Sequence, residues 1–483
     1  MRPLLLAISL LGALLISCPA LADTPHMPPG LLPLVHAAGR KMVPHQVVRV
    51  TGKEAMAPAE VAVAIDPANP ERVIASALGG FREGNKFGQN AIYFSTDGGK
   101  TWKVNLAPSA AGRMQGDDVV LFGPDGVAYH AYITFNGIRV ANPRRAMNGI
   151  YVRQSKDGEK WTEPVPVVDH INSVEPFEDK PWLVADHGKD SPNRGNVYCS
   201  WTRFDVYGSK DPDRKSHIYL ARSTDKGKSF WPAVRISDKP GNAIDDSGTV
   251  EGAVPSVGVK GEIYVAWSGP EGVVIDKSTD GGRTFGKDTT ISEHHGGWDF
   301  PAAGLFRHNG LPVTGVDHST GKHRGSVYVA WIDRRHGDPD VFVAHSRDGA
   351  ATWSPPVRVN NDALKNGKEQ LFTWMAVDPV DGSVNLVYLD RRTAKNDKDT
   401  TTSVTIARSV DGGKSFVNYY VKQPPFVMQS VGFYGDYIGV SACAGRVIAV
   451  YPHVMGRGQL AVSTAIFQFK PGTQETANAT PRP

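Results

Sequence analysis

The sequence predicts an all-β fold, a β-propeller closed as a ring of seven blades, and three observations lead there. The stretch Ser95 to Trp102 (STDGGKTW) has five further copies, at Ser155 to Trp161, Ser223 to Phe230, Ser278 to Phe285, Ser346 to Trp353 and Ser409 to Phe416. The aspartates of the copies are Asp97, Asp157, Asp225, Asp280, Asp348 and Asp411, about 55 to 68 residues apart, a spacing that signals a propeller or solenoid array. The chain also has 51 glycines, 35 prolines, short Val-rich runs and no long stretch with a helical period. Finally, three strand-like runs without the motif follow the sixth copy, and one isolated run precedes the first, enough to build a seventh, composite blade.

In chain order, residues 1–22 have the form of a signal peptide: Arg2, an apolar stretch from Leu4 to Ile16, and the small-residue site Ala20-Leu21-Ala22. Cleavage there predicts an exported, periplasmic or secreted protein that starts at Asp23. The alternative is a lipid anchor at Cys18, since Leu15-Ile16-Ser17-Cys18 resembles a bacterial lipobox. Residues 23–42 are Pro-rich and aperiodic and read as a flexible N-terminal arm. No other segment is long and apolar enough to span a bilayer.

The propeller is expected over residues 43–470. Gln46 to Val50 is the isolated strand, and the first repeat follows in Val61 to Ile65, Val73 to Ala77, Ile92 to Ser95 and Trp102 to Leu106. Further repeats run from about Val119 to Val168, Trp182 to Ile236 and Phe372 to Val421. The fourth and fifth share the runs Glu262 to Trp267 and Ser326 to Trp331, apolar on both faces as in a sheet packed between two others. Asp436 to Ser441, Arg446 to Tyr451 and Gln459 to Phe467 would take Gln46 to Val50 as their fourth strand, closing the ring without a free edge. The alternative is a six-bladed ring capped by the last strands. The polar tail, residues 471–483, is expected to be disordered.

Each repeated motif sits between two extended runs and reads as a hairpin turn. A short carboxylate can bind turn N–H groups, Gly takes positive φ, and the closing aromatic plugs the turn against the sheet. The motif resembles the Asp box, the repeat of sialidases and related β-propellers, over most of the chain. The resemblance implies a structural role for the six aspartates, at hairpins away from the active face. It also implies an exported glycoside hydrolase of the exo-α-sialidase type, cleaving a terminal, acidic sugar, or alternatively a non-catalytic propeller that binds glycan or protein.

In a propeller the innermost strands begin, and the second strands end, on one face, where ligands bind. Acidic residues recur at the innermost starts: Glu60, Asp117, Asp118, Glu178, Asp179 with Lys180, Glu251, Glu369 with Gln370, and Asp436 with Tyr437. Arginines recur at the second-strand exits, at Arg82, Arg203, Arg334 and Arg391. Carboxyls inside a ring of guanidinium groups suit an anionic sugar, because arginine binds carboxylate bidentately and a carboxylic acid can protonate a leaving oxygen. By the family resemblance, Arg82, Arg334 and Arg391 would clamp the sugar carboxylate, Asp117 or Asp118 would be the acid, and Tyr437 with Glu369 the nucleophile pair. Tyr434 and Tyr388 are alternative tyrosines. The family's Phe-Arg-Ile-Pro motif is missing, and Phe81-Arg82-Glu83-Gly84 is the nearest match. Asp333 with Arg335 and Asp390 with Arg392 can equally be ion pairs of the repeat, tying adjacent blades.

Other classes are disfavoured. A net charge of +4 with cations spread along the chain gives no nucleic-acid stripe. Adjacent His294 and His295, with Asp299, would point apart on extended chain and lack a third ligand at a diagnostic spacing. Neither a phosphate cradle nor a Gly-x-Ser-x-Gly elbow occurs, so no cofactor is expected. Cys199 and Cys443 are expected as buried free thiols. A glycan substrate and a monomer complete the reading.

Overall fold

The computed structural model describes residues 37–52, 55, 57–83, 86–106, 110, 113–136, 147–173, 175–429 and 432–475. Those residues form seven antiparallel sheets with sequential strand order, the blades of one propeller. Blade 1 runs Ala59–Ile65, Val73–Glu83, Lys86–Ser95 and Lys103–Leu106, from axis to rim. The innermost strands of blades 2 to 6 are Met114–Phe122, Phe177–Ala185, Glu251–Val257, Val313–Val316 and Gln370–Val377. Blade 7 is composite. Gly439–Cys443, Arg446–Val454 and Leu460–Gln468 take His45–Arg49 as the outermost strand, in register from His45 against Phe467 to Arg49 against Ser463. Both ends of the ring are thus joined by backbone hydrogen bonds, and the six-bladed alternative is excluded.

Second strands apolar on both faces pack as expected: Ile263–Gly269, Val327–Asp333 and Val384–Asp390 are buried at every position. Trp201, Trp267 and Trp331 occupy this layer in blades 3, 4 and 5 and are inaccessible to solvent. The apolar clusters bridge neighbouring blades, as where Tyr129 and Ala131 of blade 2 meet Leu183 and Cys199 of blade 3. Cys199 and Cys443 are buried free thiols.

The six repeated turns join third and fourth strands and share one hydrogen-bond scheme, except that the shorter turn of blade 2 lacks the hydroxyl bond to the aspartate. In blade 4, Asp280 Oδ1 accepts the backbone N–H groups of Arg283 and Thr284 at 3.0 Å, and the Thr284 hydroxyl donates to Oδ2 at 2.6 Å. Ser278 Oγ donates to Asp280 Oδ1 at 2.8 Å and accepts Gly282 N–H at 2.9 Å. Against the cost of partial burial, those bonds pull the Asp280 carboxyl down to about 2. The turn aspartates are used up by their own hairpins, and each turn leans on the blade before it. In blade 2, a Cβ on Gly158, at φ +80°, would lie 2.3 Å from the Phe94 ring of blade 1.

The described parts of both chain ends rest on the propeller. Residues 37–42 are docked on blade 6: Lys41 N–H donates to Asn418 O at 2.8 Å, and Arg40 is buried with Nη1 donating to Ser403 and Thr405 hydroxyls at 2.9 and 2.7 Å. Of the tail, residues 471–475 lie against blade 6, where Arg408 Nε donates to Thr473 O at 3.0 Å. In both places a buried guanidinium fixes backbone that composition alone reads as loose. The leader with Cys18, residues 23–36 and residues 476–483 lie outside the described residues.

Candidate functional site

Five of the seven innermost strands carry a bulge where they begin. The pairing of first and second strands breaks at Glu60, Asp117, Lys180, Gly252 and Phe372, and each of these residues has positive φ, +47° to +49° for the four that are not glycine. A bulge re-aims the side chain, and non-glycine residues held left-handed store strain of the kind found at functional sites. The bulges face the side opposite the repeated turns, the side nominated from the sequence.

Below this face the axis is plugged. Trp182 and Trp374 lie 4.1 Å apart between ring centroids, with Tyr437 5.3 Å from Trp182. Above the plug, Lys180 Nζ of blade 3 bonds to Glu251 Oε1 of blade 4 at 2.7 Å and to Asp436 Oδ2 of blade 7 at 3.0 Å. Arg307, from the connection between blades 4 and 5, pairs with the same Asp436 oxygen and faces Asp245 at 3.9 Å. Asn309 Nδ2 donates to the Asp436 carbonyl at 3.0 Å. Tyr207 donates its hydroxyl to Asp245 Oδ2 at 2.6 Å.

Burial and like charge set the protonation of this group. Burial, then the charge of Asp436, pushes Glu60 up to about 7. Burial, then the charge of Glu60, pushes Asp117 up to about 7 as well. Burial also holds Asp179 and Glu251 well above the carboxylate range. Asp436 moves the other way: against its own burial, Arg307 and Lys180 hold it below that range. The result is a charged Lys180–Asp436–Arg307 chain set among carboxyls raised above their usual range.

A cavity of about 340 Å³ opens over this chain, lined by Lys180, Asp245, Trp298, Asp299, Arg307 and Asp436 among others. Asp245 and Arg307 are half-buried there and Asp299 is exposed. Its carboxyl is still partly desolvated by the cavity walls, and this, then the charge of Asp245, raises Asp299. A carboxyl raised above its usual range beside a second carboxyl, with a guanidinium at hand, suits general acid/base chemistry on a bound polyol.

The structure brings some of the predicted residues together and separates others. Asp117, Glu60, Asp179, Glu251 and Asp436 converge as expected. Asp118 does not serve as an accessible acid: it is fully buried and bonded to His130 Nε2, whose Nδ1 accepts Arg153 Nε–H at 3.1 Å. Tyr437 and Glu369 are not a pair. The Tyr437 hydroxyl is buried and donates to the Asp118 carbonyl at 3.1 Å, whereas Glu369 is bound by Arg391. Tyr388 donates to Asn418 Oδ1 at 2.9 Å, and Tyr434 to nothing at the axis, its oxygen instead accepting Gln429 N–H at 2.8 Å.

The arginine clamp is corrected too. Arg203 binds Glu178 within its own blade, with Nη2 at 2.7 Å, and stacks 4.0 Å over Tyr219. Arg391 is 3 % exposed along its side chain and donates Nη2–H to Ala303 O at 2.6 Å. Arg334 is exposed, outside the cavity lining. The Arg82 backbone lies in the second strand of blade 1, and its side chain lies outside the described residues. Asp333 binds Arg335 and Asp390 binds Arg392 within one blade in each case, and the arginines reach on from there: Arg335 Nη2 donates to Ser292 Oγ of blade 4 at 3.0 Å, and Arg392 Nη1 donates to Asn361 Oδ1, on the connection from blade 5, at 2.6 Å. His294 uses both ring nitrogens on Ser268 Oγ and Ile332 O, at 2.5 and 2.8 Å.

The cavity residues that sequence reasoning missed, Asp245, Asp299, Phe306 and Arg307, lie on the connections leading into blades 4 and 5. Residues 293–312 form a long connection without regular strands, and unusual loop length was the available signal.

No family model matches the chain, and no curated protein matches it. Solved structures do. A protein of unknown function from Dyadobacter fermentans is 14% identical, over 89% of this chain and 98% of that one, with a TM-score of 0.47. A Hadza microbial sialidase is 14% identical over 78% of this chain and 68% of its own, TM-score 0.46. An α-L-arabinanase from Penicillium chrysogenum is 10% identical over 88% and 98%, TM-score 0.46. What such a fold does resides in the site, so function is argued from the side chains described above.

Proposed function

We propose that this protein is an exported glycoside hydrolase that cleaves a terminal sugar bearing a carboxylate from a glycan. One observation carries the reading: Asp299, a raised carboxyl, shares the 340 Å³ cavity with Asp245 and with the half-buried guanidinium of Arg307. Asp299 is the acid that protonates the leaving oxygen, because a carboxyl keeps its proton to higher pH where burial and a neighbouring charge disfavour ionisation. Asp245, oriented by Tyr207, is the second carboxyl that such hydrolysis requires, acting on the opposite side of the bond as base or nucleophile. Arg307, with Asn309 beside it, holds the sugar's carboxylate in place of a trio of arginines. The upward shifts of Glu60, Asp117, Asp179 and Glu251 lessen the repulsion of an anion by the floor.

The second reading, a propeller that binds glycan without turnover, is favoured by one feature: Arg307 is already engaged by Asp436. Release of 4-methylumbelliferone from acidic and neutral glycosides separates the two. The hydrolase predicts turnover that Asp299→Asn removes. Binding of glycans without turnover of any glycoside would establish the binder. Export is part of the proposal and rests on the Arg2 to Ala22 leader. The mass of the protein recovered outside the cytoplasm tests it, a start at Asp23 marking the soluble form and a lipid on Cys18 the anchored one.

A further inference from the structure

Phe306 is 57 % exposed, although its neighbours in sequence are all fixed to the body. Leu305 packs against the apolar core shared by blades 6, 7 and 1, and Arg307 turns in to Asp436. The turn that presents Phe306 is pinned from several sides. Arg391 Nη2 donates to Ala303 O at 2.6 Å, and a Cβ on Gly304 would meet Thr400 Cγ2 at 2.6 Å and Met428 O at 2.7 Å, so the tip sits hard against blade 6. At its base, Ser247 Oγ donates to Asp299 O at 3.1 Å and accepts Asp299 N–H at 3.0 Å, and Trp298 Nε1–H donates to Thr249 O at 3.1 Å. The connection is therefore held rigidly, and the exposure of Phe306 follows from its backbone setting.

Phe306 lines the same cavity as Asp299 and Arg307. A single exposed apolar side chain is common on a protein surface, but Phe306 is set in the wall of a cavity, beside Asp299 and Arg307, where a ligand would cover it. The apolar face of a pyranose suits it, since the ring's C–H groups are drawn to the negative face of an aromatic ring while its hydroxyls stay in water.

We infer that Phe306 is the stacking platform for a second sugar, the one on the leaving-group side of the bond, so that the site takes oligosaccharides in preference to simple glycosides. The inference rests on the proposed glycan site and adds the extent of the substrate.

The test is a glycan array probed with wild-type protein, Phe306→Ala and Phe306→Trp, beside the glycoside turnover assay. Wild type is expected to bind glycans of two or more sugars, with signal lost about tenfold in Phe306→Ala, the scale of one aromatic contact, and restored in Phe306→Trp. Equal binding by wild type and Phe306→Ala, or no glycan bound by wild type, overturns the inference. Turnover by wild type that Phe306→Ala leaves unchanged on oligosaccharides overturns it while the hydrolase reading stands. Binding that depends on Phe306 without turnover of any glycoside keeps the platform and removes the hydrolase.

Discussion

Lys180 of blade 3 and Asp436 of blade 7 meet at 3.0 Å across the propeller axis, and Arg307 closes on the same carboxylate from the connection between blades 4 and 5. Three distant segments thus share one buried negative charge. Its removal leaves two cations without the carboxylate that they share. Asp436→Asn is expected to cost about 3 kcal/mol of stability, the scale for breaking one partner of a buried pair, and to abolish ligand binding. Urea unfolding and the glycan array measure the two effects.

Glu60 and Asp117 both ionise near pH 7 in the fold, above their values of roughly 4 in the unfolded chain. For an acid with a raised folded value, the unfolded chain gives up its proton first as pH rises. Stability is therefore greatest below pH about 4 for this contribution and declines up to about 7, by at most about 1.4 kcal/mol per pH unit per proton. Asp117→Asn and Glu60→Gln should each flatten the slope between those limits. Equilibrium unfolding from pH 4 to pH 8 reads it, and an unchanged slope in both variants would refute the assignment.

Tyr437 spends its hydroxyl on the Asp118 carbonyl beneath the aromatic plug. Tyr437→Phe is expected to lose about 1 kcal/mol of stability, one hydrogen bond, and to keep its glycoside turnover within about threefold. A loss of a thousandfold would return the tyrosine to the role of nucleophile.

Gly158 and Gly195 both have left-handed backbones, but their surroundings differ. A Cβ on Gly158 would lie 2.3 Å from Phe94, whereas on Gly195 the nearest atom is 3.8 Å away. Gly195→Ala should cost about 1 kcal/mol, the backbone term alone, and Gly158→Ala about 3 kcal/mol, with overpacking added. Thermal unfolding of the two variants checks the difference, and neither should alter ligand binding, since the turn of Gly158 lies on the face opposite the cavity.

The ring was readable from local signals. Six repeated aspartate turns fixed the hairpins, the apolar runs such as Val327–Asp333 fixed the buried second strands, and the unmatched strand near Gln46 predicted the closure that His45–Arg49 makes with Leu460–Gln468. The site was readable in part. The acids at the innermost strand starts do converge, because a ring brings every such start to its axis. The arginine clamp was not readable, because an arginine after a strand can serve a neighbouring carboxylate as readily as a ligand, and Arg203 and Arg391 do the former.

The sequence alone determined the repeating blades and nominated the composite seventh blade and the face for chemistry, since these follow from periodicity and turn chemistry along the chain, whereas strand pairing at His45–Arg49 decided between seven blades and six. Tertiary structure alone decided which charged groups meet. The bulges at Glu60, Asp117 and Lys180 turn side chains toward the axis, and the connection at residues 293–312 carries Asp299, Phe306 and Arg307 over the top. Both depend on contacts between blades far apart in sequence, and only burial among those contacts moves the carboxyls from their ordinary range.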